Sequence, residues 1–131
     1  ITYADPETDG LLAIAENNVL IGVDVPNVMT INGIFVAQTG RFGRNDYNYG
    51  DLPNPSGPLD FRPYYDRSSL TTHGTIVSNG RVGTQWTSGS TFESGFRNRY
   101  SSYDRNLVEN PPPLVPNTSD VYDFVDWREN Q

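Results

Sequence analysis

Four acidic residues near the start of the chain have the spacing of a calcium-binding loop. Counted from Asp5, acids occupy the first, third, fifth and twelfth positions, with a glycine at the sixth; the acids are Asp5, Glu7, Asp9 and Glu16. In an EF-hand, oxygen ligands at these positions surround Ca²⁺ between two helices. Only four residues precede Asp5, which leaves no room for a flanking helix, so an acidic, solvated loop is the alternative interpretation. Calcium is the one cofactor that the sequence suggests.

Tyrosines in a proline-rich stretch, residues 45–67, form a second candidate site. Tyr47, Tyr49, Tyr64 and Tyr65 lie among aspartates there. An exposed aromatic patch usually marks an interaction surface, and rings beside carboxylates could stack on a sugar and hydrogen-bond its hydroxyl groups. Alternatively, the rings cover the edge of a core and keep their hydroxyl groups in water. The stretch therefore predicts either glycan binding or packing.

Arginines gather beside tyrosines further along the chain. Arg97, Arg99 and Arg105, with Arg81 just upstream in the repeat, lie near Tyr100 and Tyr103. A guanidinium group binds carboxylates and phosphates through paired hydrogen bonds, so this segment is a candidate site for an anion or an acidic glycan. The alternative is that the arginines stack on rings and pair with the plentiful aspartates.

The single histidine, His73, does not indicate a catalytic site. It lies in a repeated segment, where its counterpart is Asn32. A residue that exchanges with asparagine between repeats supports a turn more readily than it acts as a base. The chain contains no phosphate loop, nucleophile elbow or metal triad in its sequence. We therefore predict no catalytic residues and a protein that is not an enzyme.

Two segments of the chain repeat each other and must position these side chains. Residues 28–44 (VMTINGIFVAQTGRFGR) recur, with one residue removed, as residues 69–84 (SLTTHGTIVSNGRVGT). A shorter copy, IAENNVL, precedes them at residues 14–20. The aligned pairs include Met29 with Leu70, Phe35 with Ile76, Arg41 with Arg81, and Gly43 with Gly83.

The shorter copy also suggests a turn. It aligns Asn18 with Gly40 and Gly80. Because asparagine and glycine accept a positive φ at low cost, the alignment predicts a left-handed turn at each of the three positions.

Within each copy the apolar residues alternate with polar ones, which is the period of a β-strand. Ala15, Ala37 and Ser78 mark the same point in the three copies, at spacings of 22 and 41 residues. Periods of this length are typical of solenoids. We predict an all-β fold: a right-handed parallel β-helix (solenoid) of about four coils with an extended, proline-rich C-terminal tail.

The chain has the length of a single domain, residues 1–131. We expect the coils at 11–95, with an irregular insertion at 45–67, and an extended tail at 96–131 that ends in a closing strand, Val121–Trp127. Because the chain begins without methionine, we expect a mature product or a fragment of a longer protein.

Composition narrows the range of partners. The chain has nine arginines, no lysine and sixteen acidic residues, which give a net charge of −7. This charge disfavours nucleic acid and anionic membrane surfaces as binding partners. The absence of cysteine excludes disulfides, thiol catalysis and zinc–thiolate sites. The longest apolar run, LLAIA, is far shorter than a membrane span, so we expect no membrane contact by this segment.

The repeats and the tail also carry a family resemblance. The segments are LLAIAENNVLI, GIFVAQTGRFGR, HGTIVSNGRVGT, and FRNRYSSYDRNLVENPPPLVP followed by DFVDW. In these segments the chain resembles the ectodomains of PilX-like type IV pilus assembly proteins (minor pilins) and related bacterial β-solenoid surface proteins of unknown function. The resemblance covers most of the chain and is weakest at 45–67.

The resemblance implies a bacterial, extracellular module carried on a pilus or the cell surface and built for assembly or adhesion. The implied partners are other pilus or surface subunits, and glycans are a further expectation. A carbohydrate-binding or carbohydrate-active β-helix protein is the alternative function, and a self-assembling filament subunit is a third. The resemblance supplies no catalytic residues.

Overall fold

The described part of the chain folds mainly into β-strands. The computed structural model describes residues 1–5, 7–47 and 63–115. Its elements, in chain order, are β1 (Leu12–Ala15), β2 (Val19–Ile21), β3 (Val28–Ala37), β4 (Phe42–Arg44), β5 (Asp66–Ser78), β6 (Gln85–Ser88), β7 (Thr91–Ser102) and the short helix α1 (Asn106–Glu109). The all-β class predicted from the alternating pattern is confirmed.

Parallel pairing dominates the larger of two sheets. Its strand order is β1, β3, β5, β7, β6; the first four are parallel neighbours, and β6 pairs antiparallel with β7. β2 and β4 form a second parallel sheet, and a bridge from Gly43 to Gly83 extends it by one step. The chain therefore leaves one sheet, crosses the other and returns to a parallel neighbour, as stacked repeats require.

The register between β3 and β5 reproduces the sequence alignment of the repeat. Met29 pairs with Leu70 and Phe35 pairs with Ile76, with no shift between them. The shorter copy aligns as predicted too, because Ala15 pairs with Ala37. Aligned residues are therefore neighbours across the sheet, about 4.8 Å apart.

The core lies on the inward face of the large sheet. Alternate residues of β3, from Ile31 to Ala37, are buried, and Val77 on the outward face of β5 is exposed. The rings of Phe35 and Phe42 join the two sheets, with centroids 5.6 Å apart. Burial of a large apolar side chain stabilises the fold by about 1.5–3 kcal/mol. The buried cluster consists of Ile21, Ile31, Phe35, Phe42, Leu70 and Phe96.

The predicted left-handed turn is wrong. Asn18, Gly40 and Gly80 do not have positive φ; the left-handed glycines of the repeat are Gly33 (φ 138°) and Gly74 (φ 135°), inside β3 and β5. Gly40 is required for space, since a Cβ atom there would clash with the side-chain oxygen of Asn18. Asn18 itself accepts the backbone N–H of Arg41 at 2.9 Å, so the aligned asparagine and glycine have different roles at this turn.

Part of the predicted tail belongs to the sheet. β7 continues to Ser102 and pairs with β5 as far as His73. The sequence predicts an extended tail from residue 96 onward, but residues 96–102 instead complete the fourth parallel strand. The predicted closing strand, Val121–Trp127, lies outside the described residues.

The next segment, residues 103–115, does return along the stack. The side chain of Asn110, just after α1, donates a hydrogen bond to the Glu7 carbonyl oxygen at 3.2 Å. Pro112 lies against Gly10, which precedes β1. This return segment therefore leads from the last parallel strand to the first.

We expect Gly74→Ala to destabilise the protein by about 2–3 kcal/mol. Its φ of 135° is unfavourable for an L-residue, and the added Cβ atom would clash with the Gly33 carbonyl oxygen on the neighbouring strand. Urea denaturation measures the change in the free energy of unfolding.

Gly22→Ala is the matched control for this variant. Nothing lies within 4 Å of the Cβ position of Gly22, and its φ is not positive. The control should change stability by less than about 0.5 kcal/mol. Equal stabilities for the two variants would contradict the close stacking of β3 on β5.

Candidate functional site

Three arginines converge on one cavity at the β7 end of the stack. The cavity, of about 560 Å³, is lined by Arg41, Arg81, Arg99 and Trp86, together with Val82, Gly83, Gln85 and Thr87. We call it the arginine cleft. It holds three of the nine basic residues of a chain whose net charge is −7. The cleft is therefore a positive site on a negative protein.

The repeat itself brings Arg41 and Arg81 together. Each follows the turn that leaves the large sheet, one after β3 and the other after β5. The bridge between Gly43 and Gly83 holds the two turns side by side. Gly83 also leaves room for Arg41, whose Nη1 would lie 3.0 Å from a Cβ atom at that position.

The hairpin of β6 and β7 supplies the rest of the cleft. Arg99 pairs in register with Leu70, so it shares the inward face of the sheet on the last parallel strand. Trp86 donates its indole N–H to the Arg44 carbonyl oxygen at 3.1 Å, which fixes the ring. The Arg41 guanidinium lies over this ring, 5.2 Å from its centroid. The ring therefore already carries a cation.

The cleft has no anionic partner of its own among the described residues. There, the ion pairs involve His73 and Arg97 and none of the three cleft arginines; Arg41 instead donates to the neutral side-chain oxygen of Asn45 at 3.3 Å. Like charges repel, by about 1 kcal/mol at 4 Å in water and more where water is excluded. A bound carboxylate, sulfate or phosphate group would offset this repulsion and fit the guanidinium forks.

A second cavity adjoins the arginine cleft. This core-end pocket, of about 340 Å³, is lined by Phe42, Leu70, Thr72, Ile76, Val82, Thr84, Arg99, Tyr100 and Ser101. The two cavities share Val82 and Arg99. The pocket lies at the end of the apolar core, because Phe42 and Leu70 belong to the buried cluster. Together the cavities offer an apolar surface beside a positive one.

The described tyrosines of the predicted sugar platform pack against the protein. Tyr47, Tyr64 and Tyr65 are half-buried, and Tyr49 lies outside the described residues. The ring of Tyr47 lies 5.1 Å from the Arg44 guanidinium, and that of Tyr64 lies 5.1 Å from the Arg67 guanidinium. The structure thus gives Tyr47 and Tyr64 the packing role that was the alternative to glycan stacking.

Arg44 is the centre of this packing and is fully buried. Its guanidinium donates to the carbonyl oxygens of Gly22 at 3.2 Å, Val23 at 3.1 Å and Tyr64 at 2.6 Å. Burial lowers the pKa of this guanidinium, but arginine stays charged in proteins. Arg44 therefore joins the loop after β2 to the segment before β5.

Two of the predicted arginines, Arg97 and Arg99, have different surroundings. Arg97 donates from Nε and Nη2 to the two carboxylate oxygens of Asp66, both at 2.8 Å, and its guanidinium lies 4.1 Å from the Phe92 ring centroid. The hydrogen bonds to Asp66 raise the pKa of Arg97. Arg97 thus has the structural pairing that we gave as the alternative, whereas Arg99 lines both cavities.

The predicted calcium loop does not form a metal site in the described residues. No three acidic or histidine side chains come together there in a way that could hold an ion. Asp9 accepts the backbone N–H of Asp5 at 2.9 Å, and Asp5 accepts that of Glu7 at 2.9 Å, which lowers the pKa of the Asp5 carboxyl. Asp5 and Asp9 thus bind the loop's own backbone, while Glu16 lies after β1.

His73 belongs to a polar cluster on the outward face of the sheet. Its Nδ1 lies 2.7 Å from the Ser102 hydroxyl, and its Nε2 lies 3.7 Å from the buried Asp104 carboxylate. Serine, histidine and aspartate are also the residues of a hydrolytic triad, but none of the three lines the arginine cleft or the core-end pocket. Asp104 also accepts the Asn106 backbone N–H at 3.1 Å. The cluster therefore fastens the return segment to the sheet.

Arg41 and Trp86 were not predicted as site residues, nor was the position of Arg41 beside Arg81 in one cavity. The repeat alignment already contained the signal for the two arginines, because aligned residues of stacked strands become neighbours. Two arginines aligned with no acid at the same position predict a local excess of positive charge. The position of Trp86 depends on the β6–β7 hairpin, which the repeat does not encode.

No family model, curated protein or solved structure matches this chain. The resemblance to PilX-like minor pilins therefore stays a prediction. In the part of the chain that the structure describes, no helix is both long enough and apolar enough to cross a membrane.

We expect Arg44→Met to destabilise the protein by about 3 kcal/mol. The variant would leave three carbonyl oxygens without their charged donor, and hydrogen bonds to charged groups contribute about 1.5–3 kcal/mol each. Part of this loss is offset because a charged group no longer has to be buried. Urea denaturation tests this expectation. Arg81→Met is the control: its side chain is exposed and should change stability by less than about 0.5 kcal/mol. Equal effects would show that Arg44 does not connect these segments.

Proposed function

We propose that the chain is a non-enzymatic structural or adhesive module of an extracellular, pilus-associated or cell-surface bacterial protein. Its arginine cleft binds an acidic group on a partner subunit. One observation carries the proposal: Arg41, Arg81 and Arg99 line a single cavity and form no ion pair with the described residues. An acidic partner supplies the missing negative charge.

The architecture that we propose for this module is a right-handed parallel β-helix of about four coils. Four successive parallel neighbours in the large sheet support it, as does the second sheet that the chain crosses between them. A connection between parallel strands of one sheet is right-handed in about 98% of cases. A rigid stack of this kind presents its end as a fixed binding surface.

An acidic saccharide is the second candidate ligand. Guanidinium groups bind uronate and sulfate groups with the same paired hydrogen bonds that they use for peptide carboxylates. A neutral sugar has less support, because Arg41 already covers one face of Trp86. The self-assembling filament also has less support, since β6 pairs with part of the last parallel strand.

Binding of acidic probes to the cleft tests the proposal. The Trp127→Phe background leaves Trp86 as the single tryptophan, so its fluorescence reports on the cleft. We expect titration with an oligo-glutamate peptide, and separately with a uronate oligosaccharide, to change this fluorescence. Added salt should weaken binding through charge screening.

Variants then assign the binding to the cleft. We expect Arg81→Ala and Arg99→Ala each to weaken binding by about 1–2 kcal/mol, which is about 5- to 30-fold. Arg105→Ala is the matched control, because Arg105 is exposed and does not line the cleft. No fluorescence change with either probe, or an equal loss in the control, would contradict the proposal.

A further inference from the structure

The last parallel strand has an edge that the described residues leave unpaired. β6 pairs with β7 only between Thr91 and Gly95. The Arg97 carbonyl oxygen accepts a hydrogen bond from the Gln85 side chain at 3.3 Å. The residues from Asn98 to Ser102 pair with β5 on one side and are all exposed. Such an edge presents backbone N–H and C=O groups to which another strand can add.

Side chains beside this edge meet both cavities. Arg99 and Ser101 pair with Leu70 and Thr72, which are buried, so all four share the inward face of the sheet. Ser101 lines only the core-end pocket, whereas Arg99 lines both the core-end pocket and the arginine cleft. On β7, position 99 therefore borders both the arginine cleft and the core-end pocket, and position 101 borders only the core-end pocket.

We propose that an extended peptide from a partner protein adds as a strand to the edge of β7. Since alternate residues of a strand face the same side, two of its residues, spaced by one, point inward. One is apolar and enters the core-end pocket, and the other is aspartate or glutamate and enters the arginine cleft. This inference rests on the proposed function, because it specifies the acidic group that the cleft binds.

The chemistry of the two cavities favours a peptide over a saccharide. Phe42, Leu70 and Ile76 give the core-end pocket an apolar wall that suits an aliphatic side chain. The open edge requires alternating donors and acceptors at strand spacing, which a peptide backbone supplies and a sugar chain does not. Because Arg99 borders both cavities and Ser101, two residues on, borders the core-end pocket, anchoring residues two positions apart in the added strand can reach both cavities.

Peptides that differ only in the order of their residues test this inference. Threonine-rich octapeptides would carry one valine and one aspartate separated by one residue, in both orders. Control octapeptides of the same composition would have valine and aspartate adjacent, so that one of the two faces solvent. Fluorescence anisotropy of labelled peptides with the full chain gives the dissociation constants.

We expect at least one spaced peptide to bind ten-fold or more tightly than the adjacent controls. Arg99→Ala should weaken this binding at least five-fold, and Arg105→Ala should leave it unchanged. Hydrogen exchange should show slower exchange of the backbone amides between Arg97 and Ser102 on binding. This protection separates strand addition from simple charge attraction.

The remaining outcomes separate this inference from the proposed function. Binding of acidic probes without a preference for spacing, or without protection of β7, overturns the strand-addition inference and leaves the proposed function standing. Tighter binding of the uronate oligosaccharide than of every peptide overturns it in favour of a saccharide ligand. If no acidic probe binds the cleft, the inference and the proposed function both fail.

Discussion

The in-register contact between β3 and β5 is the constraint on which the rest of the structure depends. Gly33 and Gly74 are paired neighbours, and both adopt a positive φ. Their backbones approach so closely that a side chain at Gly74 would meet the carbonyl oxygen of Gly33. A slip by one residue would move every apolar side chain of a strand to the solvent face. The glycine pair and the apolar alternation therefore favour the same register.

This register explains what could be predicted from the sequence. The alignment of the two copies gave the pairing of Met29 with Leu70 and of Phe35 with Ile76, because parallel stacking turns sequence similarity into spatial proximity. It did not locate the left-handed glycines. Position 40 requires glycine to avoid a clash, and position 33 requires it for a positive φ. The residue type alone does not distinguish these two requirements.

The candidate site was less predictable because its parts come from different sources. Arg41 and Arg81 are products of the repeat, but Trp86 and Arg99 come from the hairpin that breaks it. The prediction of the tyrosine and arginine candidates rests on residue type alone. Residue type does not tell whether a side chain binds a ligand or packs against the protein. Arg97 shows this ambiguity, since its pairing with Asp66 is a long-range contact with no local signal.

Arginine serves two opposite purposes in this lysine-free chain. Arg44 lies in the interior and donates to carbonyl oxygens of separate segments, while Arg81 lies at the surface. A planar guanidinium with five donors can bind several backbone oxygens at once, and a single ammonium cannot match that geometry. Only 35% of the residues are hydrophobic, so the apolar core is small. Buried arginine helps to hold the segments together where apolar side chains are lacking.

The antiparallel direction of β6 has a consequence for how this architecture can change in length. A further copy of the repeat can be inserted where its strand would have parallel neighbours, as between β3 and β5. Beyond β7 the direction reverses, so a further copy of the repeat has no equivalent place beside β6. Growth of the fold by duplication of the repeat, in evolution or by engineering, is therefore blocked at the β7 end, and the surface there keeps its form whatever the number of units beneath it.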